Sequence, residues 1–113
     1  MSRPDPLSHD LVVAALAGTN WRIDDGVLHL SAELASFPAA LGFVVSVGAL
    51  AEAHNHHPDI DLRFRTVRLV LSTHDVGALT ELDVDLALAI SGLLDPTFSD
   101  RGASPGGWRQ STP

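Results

Sequence analysis

Cysteine is missing from all 113 residues, which excludes disulfides, thiolate nucleophiles and cysteine-ligated zinc. Lysine is missing too. The seven basic residues are all arginines, and against fourteen acidic residues they leave a formal charge of −7. Clustered positive charge is what draws a protein to a phosphate backbone, so nucleic acid is not an expected partner. The local concentration of Arg63, Arg65 and Arg68 reads either as a small anion-friendly patch or as the solvated face of a strand. No run approaches the roughly 20 apolar residues that a membrane helix needs. The start, Met1-Ser-Arg-Pro-Asp-Pro6, has no basic segment followed by an apolar one, so no secretory signal is expected. The expectation is a cytoplasmic protein without a membrane partner. Its chemistry falls to His, Asp, Glu, Ser, Thr and Arg.

What is present is apolar material in periodic blocks, 45% of the chain, enough for one domain with one core. Ser8 precedes an apolar-periodic stretch and reads as a helix N-cap, with Leu7 and Val12 placed as a staple and Gly18 as a stop after about Ala17. Trp21-Arg22-Ile23 and Val27-Leu28-His29-Leu30 flank Asp24-Asp25-Gly26, the pattern of a hairpin. Ser36 and Pro38 open a second helix, with Leu41, Val44, Val47, Gly48, Leu50 and Ala51 on its buried face. It should end near Asn55, because Pro58 cannot continue it. Over Ile60–Ser72 the arginines change parity between Arg65 and Arg68, so two strands with a turn near Arg65-Thr66 are expected. Thr80-Glu81-Leu82-Asp83 resembles a capping box and opens a third helix to Leu94, burying Leu82, Leu86, Ala89, Ile90 and Leu93. The expected architecture is α+β: a two-layer αββαββα domain with a four-stranded antiparallel sheet and three helices on one face. It should span residues 7–94, between a flexible start (1–6) and a disordered Pro/Gly/Ser-rich tail (95–113) that includes Trp108.

Six histidines are unevenly distributed. His9 and His29 read as surface residues. His54, His56 and His57 crowd the end of the second helix, where the helix dipole favours an imidazolium, and Pro58 turns the chain. His74 follows a strand in Ser72-Thr73-His74-Asp75. A helix end and a strand end meet at the rim of a two-layer fold, and imidazoles gathered there suit general acid–base catalysis. Two alternatives stand beside this. His56, His57, His74 and a carboxylate could satisfy zinc, although adjacent histidines on a turning backbone diverge. The cluster could also be a histidine-rich cap with no chemistry. No serine sits on a nucleophile elbow, so a serine triad is not expected.

Glu52-Ala-His-Asn-His56-His57-Pro58, then Phe64, Ser72-Thr73-His74 and Leu79-Thr80-Glu81-Leu82-Asp83 together resemble the pterin-4a-carbinolamine dehydratases. The family pattern runs from an acidic or polar residue through His-His-Pro, an aromatic, a further His and an Asp in the following helix. Glu52, His56, His57, Pro58, Phe64, His74 and Asp83 fill it in order. The resemblance covers about Leu7 to Leu94, including Trp21. It implies dehydration of a 4a-hydroxytetrahydropterin to a quinonoid dihydropterin, with neither metal nor cofactor. It makes His56 and His74 the acid–base pair and His57 the residue that holds the pterin. Asn55, Pro58, Ser72, Thr73 and Asp75 would line the pocket, and Glu52 and Asp83 would orient histidines. Ile60 departs from the pattern, since some relatives carry Trp there. The resemblance also raises an alternative, a non-catalytic interaction module of the same fold, serving as a dimerisation partner or assembly factor. Exposed sheet edges call for pairing, so a homodimer or homotetramer is expected.

Overall fold

In the computed structural model, which describes residues 4–94, the element order is α1 (His9–Ala15), β1 (Arg22–Asp24), β2 (Val27–Glu33), α2 (Phe37–His54), β3 (Asp59–Arg63), β4 (Thr66–Leu71) and α3 (Glu81–Leu94). The four strands form one antiparallel sheet in the order β1-β2-β4-β3. This is the expected αββαββα arrangement. The tail 95–113, with Trp108, lies outside the described residues.

Turn chemistry explains the strand pairing. Asp25 and Gly26 both hold positive φ, 53° and 76°, as a two-residue hairpin loop between right-twisted strands requires. The second hairpin turns over Phe64-Arg65, one residue before the expected place, because Arg63 pairs with Thr66. Phe64 sits at φ 54°, a conformation that a bulky side chain rarely adopts. The two central strands then supply the core by simple alternation. Leu28, Leu30 and Ala32 of β2 stand opposite Leu71, Leu69 and Val67 of β4, and all six are buried. His29, Ser31 and Arg68 take the other parity and line a groove of about 500 Å3 on the open face of the sheet. Arg63 and Arg65, outside that groove at the β3–β4 hairpin, are paired with Asp61 (3.3 Å) and Glu33 (2.7 Å), which favours the solvated face over an anion patch.

The helices close the inner face. Ser8 accepts a hydrogen bond from the Leu11 N–H (3.1 Å) and Ser36 from the Ala39 N–H (3.1 Å), so both expected N-caps form. Trp21 is buried, and its indole N–H donates to the Ala87 carbonyl (3.0 Å), fastening the start of β1 to α3.

The buried face of α2 differs from the expected one. Ala40, Phe43, Val47 and Ala51 are buried, whereas Leu41 is exposed. In α3 the buried set includes Asp83, Val84, Ala87, Leu88 and Ser91 beside Leu86 and Ile90, and Leu93 is exposed. The reason in α2 is composition. From Phe37 to Ala51 it carries no charge on any side, so apolar periodicity cannot choose a face. By length and composition alone this helix could cross a membrane, contrary to the reading of the run lengths. Its Phe43 and Val47 nevertheless belong to the same core cluster as the strand residues.

Candidate active site

The site begins at the end of α2. Asn55 takes the left-handed conformation (φ 49°, ψ 42°), its N–H donates to the Glu52 carbonyl (3.2 Å), and the His56 N–H donates to the Ala51 carbonyl (3.0 Å). This is a Schellman termination, with Asn in the place glycine most often fills. The reversal therefore happens at Asn55, three residues before Pro58, and not at the proline expected to turn the chain. The sequence signal was the asparagine itself, which tolerates left-handed angles better than most residues.

The two histidines after this turn face different surroundings. His57 lies outside: its Nε2 is 2.5 Å from Glu52 Oε2, with both side chains exposed. His56 turns inward, and its Nε2 is 2.6 Å from Asp83 Oδ1. The His56 side chain is 11% exposed and that of Asp83 is 0% exposed. A buried carboxylate needs partners at both oxygens. Oδ2 has them in the Thr80 backbone N–H (2.9 Å) and the Thr73 hydroxyl (2.7 Å). Thr73 Oγ1 also lies 2.7 Å from Thr80 Oγ1, which accepts from the Leu82 N–H at 3.2 Å. Of the capping box expected at Thr80–Asp83, the carboxylate half forms, while the Thr80 hydroxyl accepts from the Leu82 N–H instead of that of Asp83, and the same carboxylate does a second job by holding His56.

The same network reaches the other strand end. Thr73 and Ala78 form an isolated bridge, and the Thr73 carbonyl accepts from the Val76 and Gly77 N–H groups (3.1 and 2.9 Å). His74 occupies the turn between them and is exposed, as is Asp75. His74 is therefore one residue from a hydroxyl bonded to Asp83, which in turn holds His56. Of the remaining candidates, Pro58 and Ser72 are half-buried and Asn55 is exposed. His54 is half-buried at the last position of α2, and His29 is half-buried on the open sheet face. Phe64 is at the far tip of the β3–β4 hairpin, with five- and six-residue strands between it and the histidines. Among the described residues, no group of three His, Asp or Glu side chains is arranged to hold a metal ion. Thr80 was read from the sequence as a cap alone. Its contact with Thr73 depends on how α3 is placed against the sheet, which local spacing does not carry.

A buried carboxylate–imidazole pair at a helix end, with a second imidazole on the neighbouring strand end, defines a small α+β domain equipped for proton transfer. Residues 5–93 match the family model described as "Pterin 4 alpha carbinolamine dehydratase". A protein of Chloroflexus aurantiacus named "Putative pterin-4-alpha-carbinolamine dehydratase" is 49% identical over 75 residues, covering 66% of this chain and 81% of its own. One of Mycobacterium sp. (strain JLS) with the same name is 44% identical over 90 residues, covering 79% of this chain and 96% of its own. A crystal structure of a "transcriptional coactivator/pterin dehydratase" from Brucella melitensis superposes with a TM-score of 0.70 at 29% identity, covering 78% of this chain and all of that one. The chain belongs to the pterin-4-alpha-carbinolamine dehydratase family, whose members are carbon–oxygen lyases.

Proposed function

We propose that this enzyme dehydrates a 4a-hydroxytetrahydropterin by histidine general acid–base catalysis, with His56 and His74 as the proton-transferring pair and His57 holding the pterin. The observation that carries this reading is the 2.6 Å contact between His56 and the buried Asp83 carboxylate. A carboxylate on one imidazole nitrogen fixes the ring and leaves the other nitrogen for proton exchange. In the reaction the C4a–O bond breaks and a C4a=N5 double bond forms. One imidazolium gives its proton to the departing hydroxyl, which leaves as water, and one neutral imidazole accepts the N5 proton. The two groups end with exchanged protonation states, which solvent resets. The step requires neither an oxidant nor a cofactor. Its place is in recycling a pterin in the cytoplasm.

The test is direct. Purified protein should accelerate dehydration of a synthetic 4a-hydroxytetrahydropterin, and His74→Ala should lower the rate ten-fold or more, about 1.4 kcal/mol or above. A wild-type rate equal to that of the uncatalysed reaction would overturn the assignment.

A second role as an interaction module is favoured by one specific feature. Phe37, Leu41 and Val45 repeat along one face of α2 at 43%, 43% and 73% exposure. Contiguous apolar exposure of this kind marks association surfaces, and β1 and β3 leave open sheet edges. Self-association as a homodimer or homotetramer would cover both. Sedimentation of wild type beside Val45→Glu reads this out, and a wild type that sediments as a monomer would remove it.

A further inference from the structure

We infer that the hydroxyls of Thr80 and Thr73 form a one-directional relay that holds Asp83 as a pure acceptor, locks His56 with its proton on Nε2, and so makes Nδ1 the nitrogen that exchanges protons with substrate. The inference rests on the acid–base reading of His56 given above, and it adds which atom acts and which residues set it.

The direction follows from counting protons. A threonine hydroxyl has one proton to give and lone pairs to accept with. The Leu82 N–H can only donate, so its 3.2 Å contact makes Thr80 Oγ1 an acceptor there. Thr73 Oγ1 stands 2.7 Å from both Thr80 Oγ1 and Asp83 Oδ2. If Thr73 gave its proton to Thr80, Asp83 would have to be protonated to bond Thr73. The Thr80 hydroxyl proton would then have no acceptor in a buried site. Reversing the chain satisfies every group: Thr80 donates to Thr73, Thr73 donates to Oδ2, and Oδ2 also accepts from the Thr80 N–H at 2.9 Å. Consistent with this, no buried side-chain polar atom among the described residues lacks a partner.

Both donors fall on Oδ2, which leaves Oδ1 turned to His56. In the neutral imidazole one nitrogen donates and the other accepts. An ionised Oδ1 at 2.6 Å from Nε2 can face a donor but not a lone pair. Neutral His56 therefore carries its proton on Nε2 and its lone pair on Nδ1. Protonation at Nδ1 produces an imidazolium whose charge sits against Asp83, so the ring can cycle between both states without moving. Thr73 and Thr80 do not touch substrate in this account. They are positioning residues, and Thr73 has a second claim on the site as the immediate neighbour of His74 in the strand-end bridge.

The experiment uses the full chain with 15N-labelled histidine and records ring-nitrogen shifts and imidazole N–H protons, alongside dehydratase kinetics. In wild type at a pH where His56 is neutral, a downfield Nε2–H proton, slow to exchange, should be present, with Nδ1 unprotonated. Thr73→Val keeps the shape and removes the donor. It should broaden or abolish that resonance and lower kcat about ten-fold with KM within two-fold, and Thr73→Ser should restore both. A wild-type spectrum with the proton on Nδ1 would overturn the relay without recourse to any variant. So would a Thr73→Val protein that keeps the resonance and the full kcat. Failure of the dehydratase assay in wild type, with the resonance intact, would instead reject the catalytic reading and leave the relay standing.

Discussion

Two histidine–carboxylate pairs lie side by side at the end of α2, and they differ in almost everything but distance. His57 and Glu52 meet at 2.5 Å with side chains 57% and 79% exposed, while His56 and Asp83 meet at 2.6 Å at 11% and 0%. In the first pair water competes for both partners, salt screens the attraction, and long side chains lose entropy to meet. In the second the carboxylate has no water to fall back on, so losing one partner strands a buried group. Contact distance alone thus says little about what a pair contributes. The exposed pair can open for a ligand at small cost, and the buried one can only hold. That division suits a binding histidine beside a proton-transferring one.

The comparison breaks most visibly at Asp83. Asp83→Ala removes the His56 partner, the Thr73 acceptor and the α3 cap together, and should cost about 3–5 kcal/mol of stability, read from urea unfolding at fixed pH. Asp83→Asn should cost clearly less, because its carbonyl oxygen can still accept from the Thr80 N–H. Equal losses in the two variants would mean that the cap is not being used. Next in size is the catalytic contrast. His56→Ala should lower kcat by about 10²-fold or more, whereas His57→Ala should act mainly through KM. Similar kcat losses for both would erase the distinction drawn between the pairs. Smaller again is the hinge between them. Asn55→Ala, forced to φ 49°, should lose about 1–2 kcal/mol of stability, and Asn55→Gly should lose little. If Gly is as damaging as Ala, the asparagine acts through its side chain and not its backbone.

How far this site could be read without coordinates varied with the range of the interaction. The fold was legible because its signals are local: Asp25-Gly26 sets one turn, the changed parity of the arginines sets another, and caps at Ser8, Ser36 and Thr80 open each helix. The buried face of α2 was not legible, since Leu41 and Phe43 are equally apolar and only packing separates them. The end of α2 near Asn55 was legible, but its cause was not, because a proline excludes helix outright while left-handed asparagine is only a preference. At the site, spacing identified the histidines as a cluster, and the family resemblance supplied their roles. The capping box showed that the Asp83 carboxylate was engaged. That the same carboxylate also reaches His56, 27 residues back in the chain, depends on α3 lying against the end of α2. Thr73 was read as pocket lining, yet it is buried with its hydroxyl committed to Asp83 and Thr80.

The smallest expected effect tests the comparison from its weak side. Glu52→Gln removes the charge from the exposed pair and keeps its length, so stability should change by no more than about 1 kcal/mol, and by less in high salt. A double-mutant cycle with His57→Ala isolates the pair itself from whatever else each side chain touches. The coupling should be small in the free protein. If His57 holds the pterin, part of the cost of Glu52→Gln should move into KM, because the imidazole loses the carboxylate that orients it. A coupling as large as that between His56 and Asp83 would show that exposure does not govern these two pairs. The proposed division of labour between neighbouring histidines would then need another cause.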